Sequence, residues 1–286
     1  MNRDGSTPGS ARCAAFACRR RWVPFALMVV LFGFVAVAGA EGRGADGRFE
    51  ERTSSHFVLY QDVDIDESGG FRGSRRFEKQ VLDELELAYD RLDANLGLRP
   101  PRRIEVWVYD SAIFDQQFGG RFRFSAAGFY NGAIHIRGAT QMTVGLGRVL
   151  HHELVHAAFQ AAAPSLVWPG WLNEGVAEWF EARALSKRQL SVGERSALHQ
   201  ASRSGRWLPM GTLSRATFAG LGPESASLAY LQSYGMVTLL VQRFGERKLS
   251  DFIERAVRSR DVGRALQRTY GMDAAGVDAA LRAEVE

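Results

Sequence analysis

Apolar residues recur along most of this chain at intervals that separate helix from strand. Between Arg75 and Leu96 they fall at Phe77, Val81, Leu82, Leu85, Ala88, Tyr89, Leu92 and Leu96. That is the spacing of one helix face, and Gly97 with Pro100-Pro101 ends it. Residues 56–62 (HFVLYQD) and Ile104–Tyr109 alternate as strands do. In Ala127–Arg137 (AGFYNGAIHIR) two short apolar runs flank Asn131-Gly132, which predicts a hairpin. A helix is expected from Val144 to Ala163 and another from Asn173 to Leu185, with Pro164 and Pro169 between them. Helical spacing then continues over residues 191–203, 227–244, 248–257, 261–269 and 273–284. The polar, Gly-rich stretch 41–51 reads as a linker, Asp64–Ser74 as a loop, and the region around Gly119-Gly120 as irregular. The order predicts an α+β fold, with a small mixed β-sheet in the N-terminal part and an all-helical C-terminal lobe.

The first forty residues differ from the rest. Arg19-Arg20-Arg21 precedes an apolar run from Trp22 to Val37, and Ala38-Gly39-Ala40 fits a signal-peptidase site with cleavage before Glu41. Residues 1–40 are therefore expected to be a signal peptide, or an uncleaved signal anchor at the margin of spanning length. The expected location is periplasmic or secreted, with any membrane attachment made through this segment alone. Residues 52–286 are then expected to form one domain. Of the 36 basic and 32 acidic residues, five arginines (Arg3, Arg12, Arg19, Arg20, Arg21) and Asp4 belong to this segment, which leaves 31 of each sign. A balanced domain offers no footprint for nucleic acid. Both cysteines, Cys13 and Cys18, also precede the apolar run. The exported part would thus lack disulfides, thiol nucleophiles and Cys-ligated zinc.

The chemistry is concentrated in His152-Glu153-Leu154-Val155-His156. On a helix, residues four apart lie about 6 Å apart along the axis and nearly on one face, so His152 and His156 can bind one zinc ion. Glu153 is then placed to take a proton from a water at the open position. Leu154, Val155, Ala157, Ala158 and Phe159 make the segment apolar, and buried His and Glu need partners. His151 lacks the motif spacing and reads as a partly exposed helix residue. Downstream, Glu174 and Glu178 in WLNEGVAEWF share a face on an apolar background. Such a pair is costly unless one acid ligates a metal and the other makes a charge-assisted hydrogen bond. Glu181 reads as a solvated side chain.

HELVH followed by the Glu of WLNEG resembles the gluzincin metallopeptidases, more narrowly the peptidase MA-like bacterial proteins, and more distantly thermolysin and the M1 aminopeptidases. The resemblance implies a zincin-like fold whose sheet packs on the active-site helices. It implies Zn2+ held by His152, His156 and Glu174, with Glu153 as general base and Glu178 orienting the first His. The interval from His156 to Glu174 is slightly shorter than in those relatives, a difference the Pro164–Gly170 loop can absorb. The similar families place an oxyanion donor on a later helix. Tyr230 of AYLQSY matches that position, Tyr234 is the reserve, and the plain alternative makes both core aromatics. His199 is a weaker donor candidate. Ala133–Ile136 corresponds to the edge strand that pairs with substrate backbone, the plain alternative being a core strand, while His135 need not touch the metal. The implied activity is hydrolysis of peptide or protein substrates. Two other classes stay open: an exported non-catalytic module with a structural zinc, and a zinc hydrolase of cell-wall peptide amides.

Overall fold

The computed structural model describes residues 47–63, 65, 72–121, 126–138 and 140–286, with the side chains of residues 72–74 excepted. The expected export segment lies outside the described residues. Among the described residues no helix is long and apolar enough to cross a membrane.

Five strands form one mixed sheet: β1 (Glu50–Thr53), β2 (Phe57–Asp62), β3 (Ile104–Tyr109), β4 (Gly128–Tyr130) and β5 (Ile134–Arg137). Their order is β1-β2-β3-β5-β4. The β2–β3 and β3–β5 pairs are parallel, and β1 and β4 join the two sides antiparallel. The alternation read from the sequence has a direct cause. Phe57, Leu59, Val106, Val108, Ile134 and Ile136 all point to one face and are fully buried. Helix α1 (Arg72–Leu96) links β2 to β3, packs on β2, and ends at Gly97, whose φ of +66° suits a residue without Cβ. The hairpin forms where Asn131-Gly132 predicts it, with Gly132 at φ +83°.

Three elements were not anticipated. Strand β1 is polar (EERT), begins inside the stretch read as a linker, and has no apolar alternation to betray it. It is held by backbone pairing to β2 and by an ion pair from Arg52 to the buried Glu78 of α1. Helix α2 (Ser111–Phe118) falls in the segment read as irregular, and Asp110 caps it by accepting from the Ala112 N–H at 2.8 Å. Helix α6 (Met210–Leu213) is a single turn.

The remaining helices are α3 (Val144–Ala162), α4 (Gly170–Ala184), α5 (Val192–Arg203), α7 (Pro223–Phe244), α8 (Glu246–Ser259), α9 (Val262–Tyr270) and α10 (Ala274–Val285). Helix α3 packs on α1, β4 and β5, and α4 is enclosed between α3 and α7. A helix buried on all sides carries no polar stripe, and α4 shows none: Trp171, Leu172, Val176, Ala177, Trp179 and Phe180 surround its axis. The α4–α7 approach depends on Gly175. A Cβ there would meet the Ser233 carbonyl oxygen at 2.5 Å and Val237 Cγ2 at 2.8 Å. The expected α+β architecture is thus present: a mixed sheet packed on the central helices and an all-helical C-terminal lobe.

Candidate metal centre

Thr143 starts α3 by accepting a hydrogen bond from the Leu146 N–H at 3.1 Å. Its apolar side runs through Leu146, Leu150, Leu154, Val155, Ala158 and Phe159 into the core. This fixes the rotation of the helix, so that His152 and His156 emerge together, their ring centroids 5.0 Å apart. The chain then turns through residues 163–169. Trp168 stacks on Phe159 with centroids 4.1 Å apart, which folds the turn back onto α3. Helix α4 begins at Gly170, three residues earlier than its apolar pattern suggests. The Gly170 N–H donates to the Arg215 carbonyl at 2.8 Å, at a close approach that a Cβ would obstruct.

These constraints bring Glu174 onto the two imidazoles. Glu174 Oε2 lies 3.4 Å from His152 Nε2 and 3.4 Å from His156 Nε2. The three residues are grouped closely enough to hold one ion, with candidate ligand atoms all within 4.8 Å of one another. The spacing tests the fit. Two atoms sharing a tetrahedral ion at bonds of about 2.0–2.1 Å stand about 3.3 Å apart. At 3.4 Å the carboxylate is long for a charge-assisted hydrogen bond to either ring and well spaced to share zinc with both. The donor set of two imidazoles and one carboxylate is a zinc set. A further sign is Glu153, buried next to the cluster, whose Oε2 has no hydrogen-bond partner.

Each imidazole is held from behind at Nδ1, leaving Nε2 to face the ion. His156 Nδ1 is 3.1 Å from Asn173 Oδ1. His152 Nδ1 is 3.5 Å from Glu181 Oε2, and the other oxygen of Glu181 accepts from Arg148, whose Nε is 3.1 Å away. The pairings Asn173 with His156 and Glu181 with His152 and Arg148 show α4 running antiparallel to α3. Three expectations are corrected here. Glu181 is buried and approaches His152 Nδ1, whereas Glu178 lies close enough to interact electrostatically but makes no hydrogen bond to it. The reason is helical arithmetic. Seven residues return to within about 20° of the starting direction, whereas four overshoot by about 40°. Glu181 therefore lies closer to the face of Glu174 than Glu178 does. His151 is not partly exposed but fully buried, with Nε2 2.7 Å from Glu84 Oε1 on α1. It turns away from the cluster, as a residue outside the motif spacing should.

The electrostatics divide the acids into two kinds. Burial works to raise the Glu174 carboxyl, but the His156 and His152 imidazoles bring it down to about 2. Burial opposes Glu181 as well, and its contacts with His152 and Arg148 pull it below the usual carboxylate range. For Glu153 burial wins over the same imidazoles, and its proton affinity rises. A carboxylate that must collect and release a proton benefits from such a rise.

Tyr230 reaches the cluster from α7, its ring centroid 6.4 Å from that of His152 and edge-on to Phe218 at 5.5 Å. Burial, then Glu174 and Glu153, push its hydroxyl pKa up, so it stays a protonated donor. Tyr234, the reserve, is buried one turn on under Lys187, whose Nζ is 4.8 Å from its ring, and lies outside the cleft. His199 is also remote and binds the Val285 carbonyl at 2.8 Å. The cleft over the cluster has a volume of about 670 Å³ and is lined by His152, Glu153, His156, Glu174 and Tyr230, with Gly128–Asn131 along one wall. Among the described residues the edge strand beside it is β4, not the Ala133–Ile136 segment, because β5 pairs on both sides. His135 stands away from the cleft, 2.9 Å from the Tyr109 hydroxyl.

Sequence reasoning missed Asn173 and Glu181 as supports. Both carried a signal, one as the neighbour of a ligand and the other two helical turns beyond it. A comparison with curated proteins finds none that matches this chain. A model of the peptidase MA superfamily matches residues 86–286, a span that contains every element of the site. Because that span is more than two-thirds of the sequence, the chain belongs to the peptidase MA superfamily and is a zinc-dependent hydrolase of the gluzincin group.

Proposed function

We propose that the protein is an exported metallopeptidase that hydrolyses peptide bonds. The observation that carries this is the approach of Glu174, from a separate helix, to 3.4 Å from both motif imidazoles beside a buried, unpartnered Glu153 oxygen. His152, His156 and Glu174 would hold zinc, and Asn173 and Glu181 would keep the rings aligned. When bound, zinc supplies Lewis-acid polarisation of the scissile carbonyl and makes water a stronger acid. Glu153 takes the proton from the attacking water and delivers it to the leaving amine, a shuttle suited to its raised proton affinity. Tyr230 donates a hydrogen bond to the carbonyl oxygen as negative charge grows there. Among the described residues β4 is the last strand on that side of the sheet, which supports pairing with an extended substrate chain there.

Export is supported by Arg19–Arg21, the apolar run that follows, and a domain of residues 52–286 that contains no cysteine. The experiment is Glu153→Gln. Zinc content measured by mass spectrometry should stay near one ion per chain, while hydrolysis of casein or a mixed peptide library falls by about a thousandfold or more. Retention of wild-type hydrolysis would remove Glu153 from the mechanism.

A further inference from the structure

The walls of the cleft are chemically unequal. Its centre is acidic, with Glu153 and Glu174 lining it and Glu178 and Glu181 close behind. The zinc held there would offset that charge, so a negatively charged part of a substrate is recognised outside the centre, by a cation on the rest of the cleft. Among the described residues, the one lysine or arginine lining the cleft is Arg121. Its guanidinium carbon lies 4.8 Å from the ring centroid of Phe129 on the edge strand. An aromatic face under a guanidinium restrains the plane of the group and leaves its in-plane N–H donors to a carboxylate. None of the ion pairs among the described residues takes up those donors. Elsewhere the wall is apolar. Leu166 and Val167 flank the stacked Phe159 and Trp168, and Val167 is 74% exposed where the loop borders the cleft. Trp168 is buried, and its Nε1 has no hydrogen-bond partner.

We infer that the cleft selects peptides bearing a carboxylate, held by Arg121, together with a bulky apolar side chain seated against Leu166, Val167 and the Phe159–Trp168 stack. The inference rests on the peptidase reading above and names its substrate class. The carboxylate can belong to an Asp or Glu side chain or to the end of the peptide, since the bidentate contact is the same.

Binding tests this without turnover. The full chain carrying Glu153→Gln is loaded with zinc and titrated with fluorescent leucine-containing hexapeptides, followed by anisotropy. One peptide has a glutamate and an amidated end, one is neutral with a free end, and one is neutral and amidated. At least one carboxylate peptide should bind about tenfold tighter than the neutral amide. Adding Arg121→Gln should erase that preference and leave the neutral amide unchanged. Because Arg121 is exposed, the change should not disturb folding. The two carboxylate peptides tell side chain from chain end. Replacing leucine with serine should weaken binding about fivefold or more. Equal affinity for all three peptides, an equal loss for all in Arg121→Gln, or indifference to leucine would overturn the inference. Hydrolysis by the unmodified chain is a separate measurement. If that fails while the binding preference holds, the peptidase reading falls and the carboxylate site stands.

Discussion

Helices α4 and α8 are almost equal in length, 15 and 14 residues, and both are rich in charge, with four charged residues in one and seven in the other. They use it differently. In α8, Leu249, Phe252, Ile253 and Ala256 face the core, and pairs such as Glu254–Arg258 lie in solvent. Charge there solvates one side of an amphipathic helix. In α4 there is no solvent side. Glu174 and Glu181 are buried among tryptophans and phenylalanine, and each is stabilised only by what it touches: the two imidazoles, and Arg148 with His152. An acid on a helix without a polar face marks a site, whereas the same acid on an amphipathic helix usually marks the surface.

Substitutions can break or sharpen this contrast. The largest effect should come from Glu174→Ala, which removes a ligand. Zinc affinity should fall by several orders of magnitude and hydrolysis should become undetectable, as read by competition with a chelating dye and by peptide assay. An unchanged affinity would mean that the cluster is not the metal site. Next is Gly175→Ala. A methyl directed at the Ser233 carbonyl must push α4 away from α7, at a cost of about 1–3 kcal/mol in thermal or urea unfolding, and it should lower activity by separating Glu174 from Tyr230. The third compares two acids on one helix. Glu181→Gln should weaken zinc binding by about 10–100-fold, while Glu178→Gln should change it by about threefold or less. The reverse order would restore Glu178 as the residue that orients His152. The smallest effect belongs to α8. Arg258→Ala, which breaks an exposed pair, should cost about 0.5 kcal/mol or less and leave zinc affinity untouched.

How much of this could be read from sequence follows from the same contrast. The helices with an apolar stripe, and the hairpin at Asn131-Gly132, announce themselves because solvent writes the periodicity into the chain. The motif histidines were legible because metal chemistry demands particular residues at particular spacings, and the family resemblance singled out Glu174 from its neighbour Glu178. What was hidden depended on neighbours far along the chain. His151 is buried because Glu84, on α1, arrives to bond it. Glu181 reads as one more charge near the end of a helix until α3 is laid antiparallel beside it and Arg148 comes into reach. Strand β1 exists because β2 offers an edge, not because EERT prefers extension. The three-residue offset at the start of α4 has a similar origin, since the Gly170 N–H is held by the Arg215 carbonyl, outside the local pattern.

The turn of residues 163–169 has a consequence for how the molecule assembles. The three ligands and Glu153 all lie between His152 and Glu174, on two helices joined by that turn, and closing so short a loop costs little chain entropy. The parallel pairs of the sheet join segments much farther apart in sequence, with the whole of α1 between β2 and β3. Contacts of that separation form slowly. The metal centre can therefore come together as a local helical hairpin before the sheet is complete, while Tyr230 arrives only when α7 docks through Gly175. In kinetic terms the grip on zinc is expected to precede the capacity to use it, and a partly folded chain would hold the ion without the full means of hydrolysis.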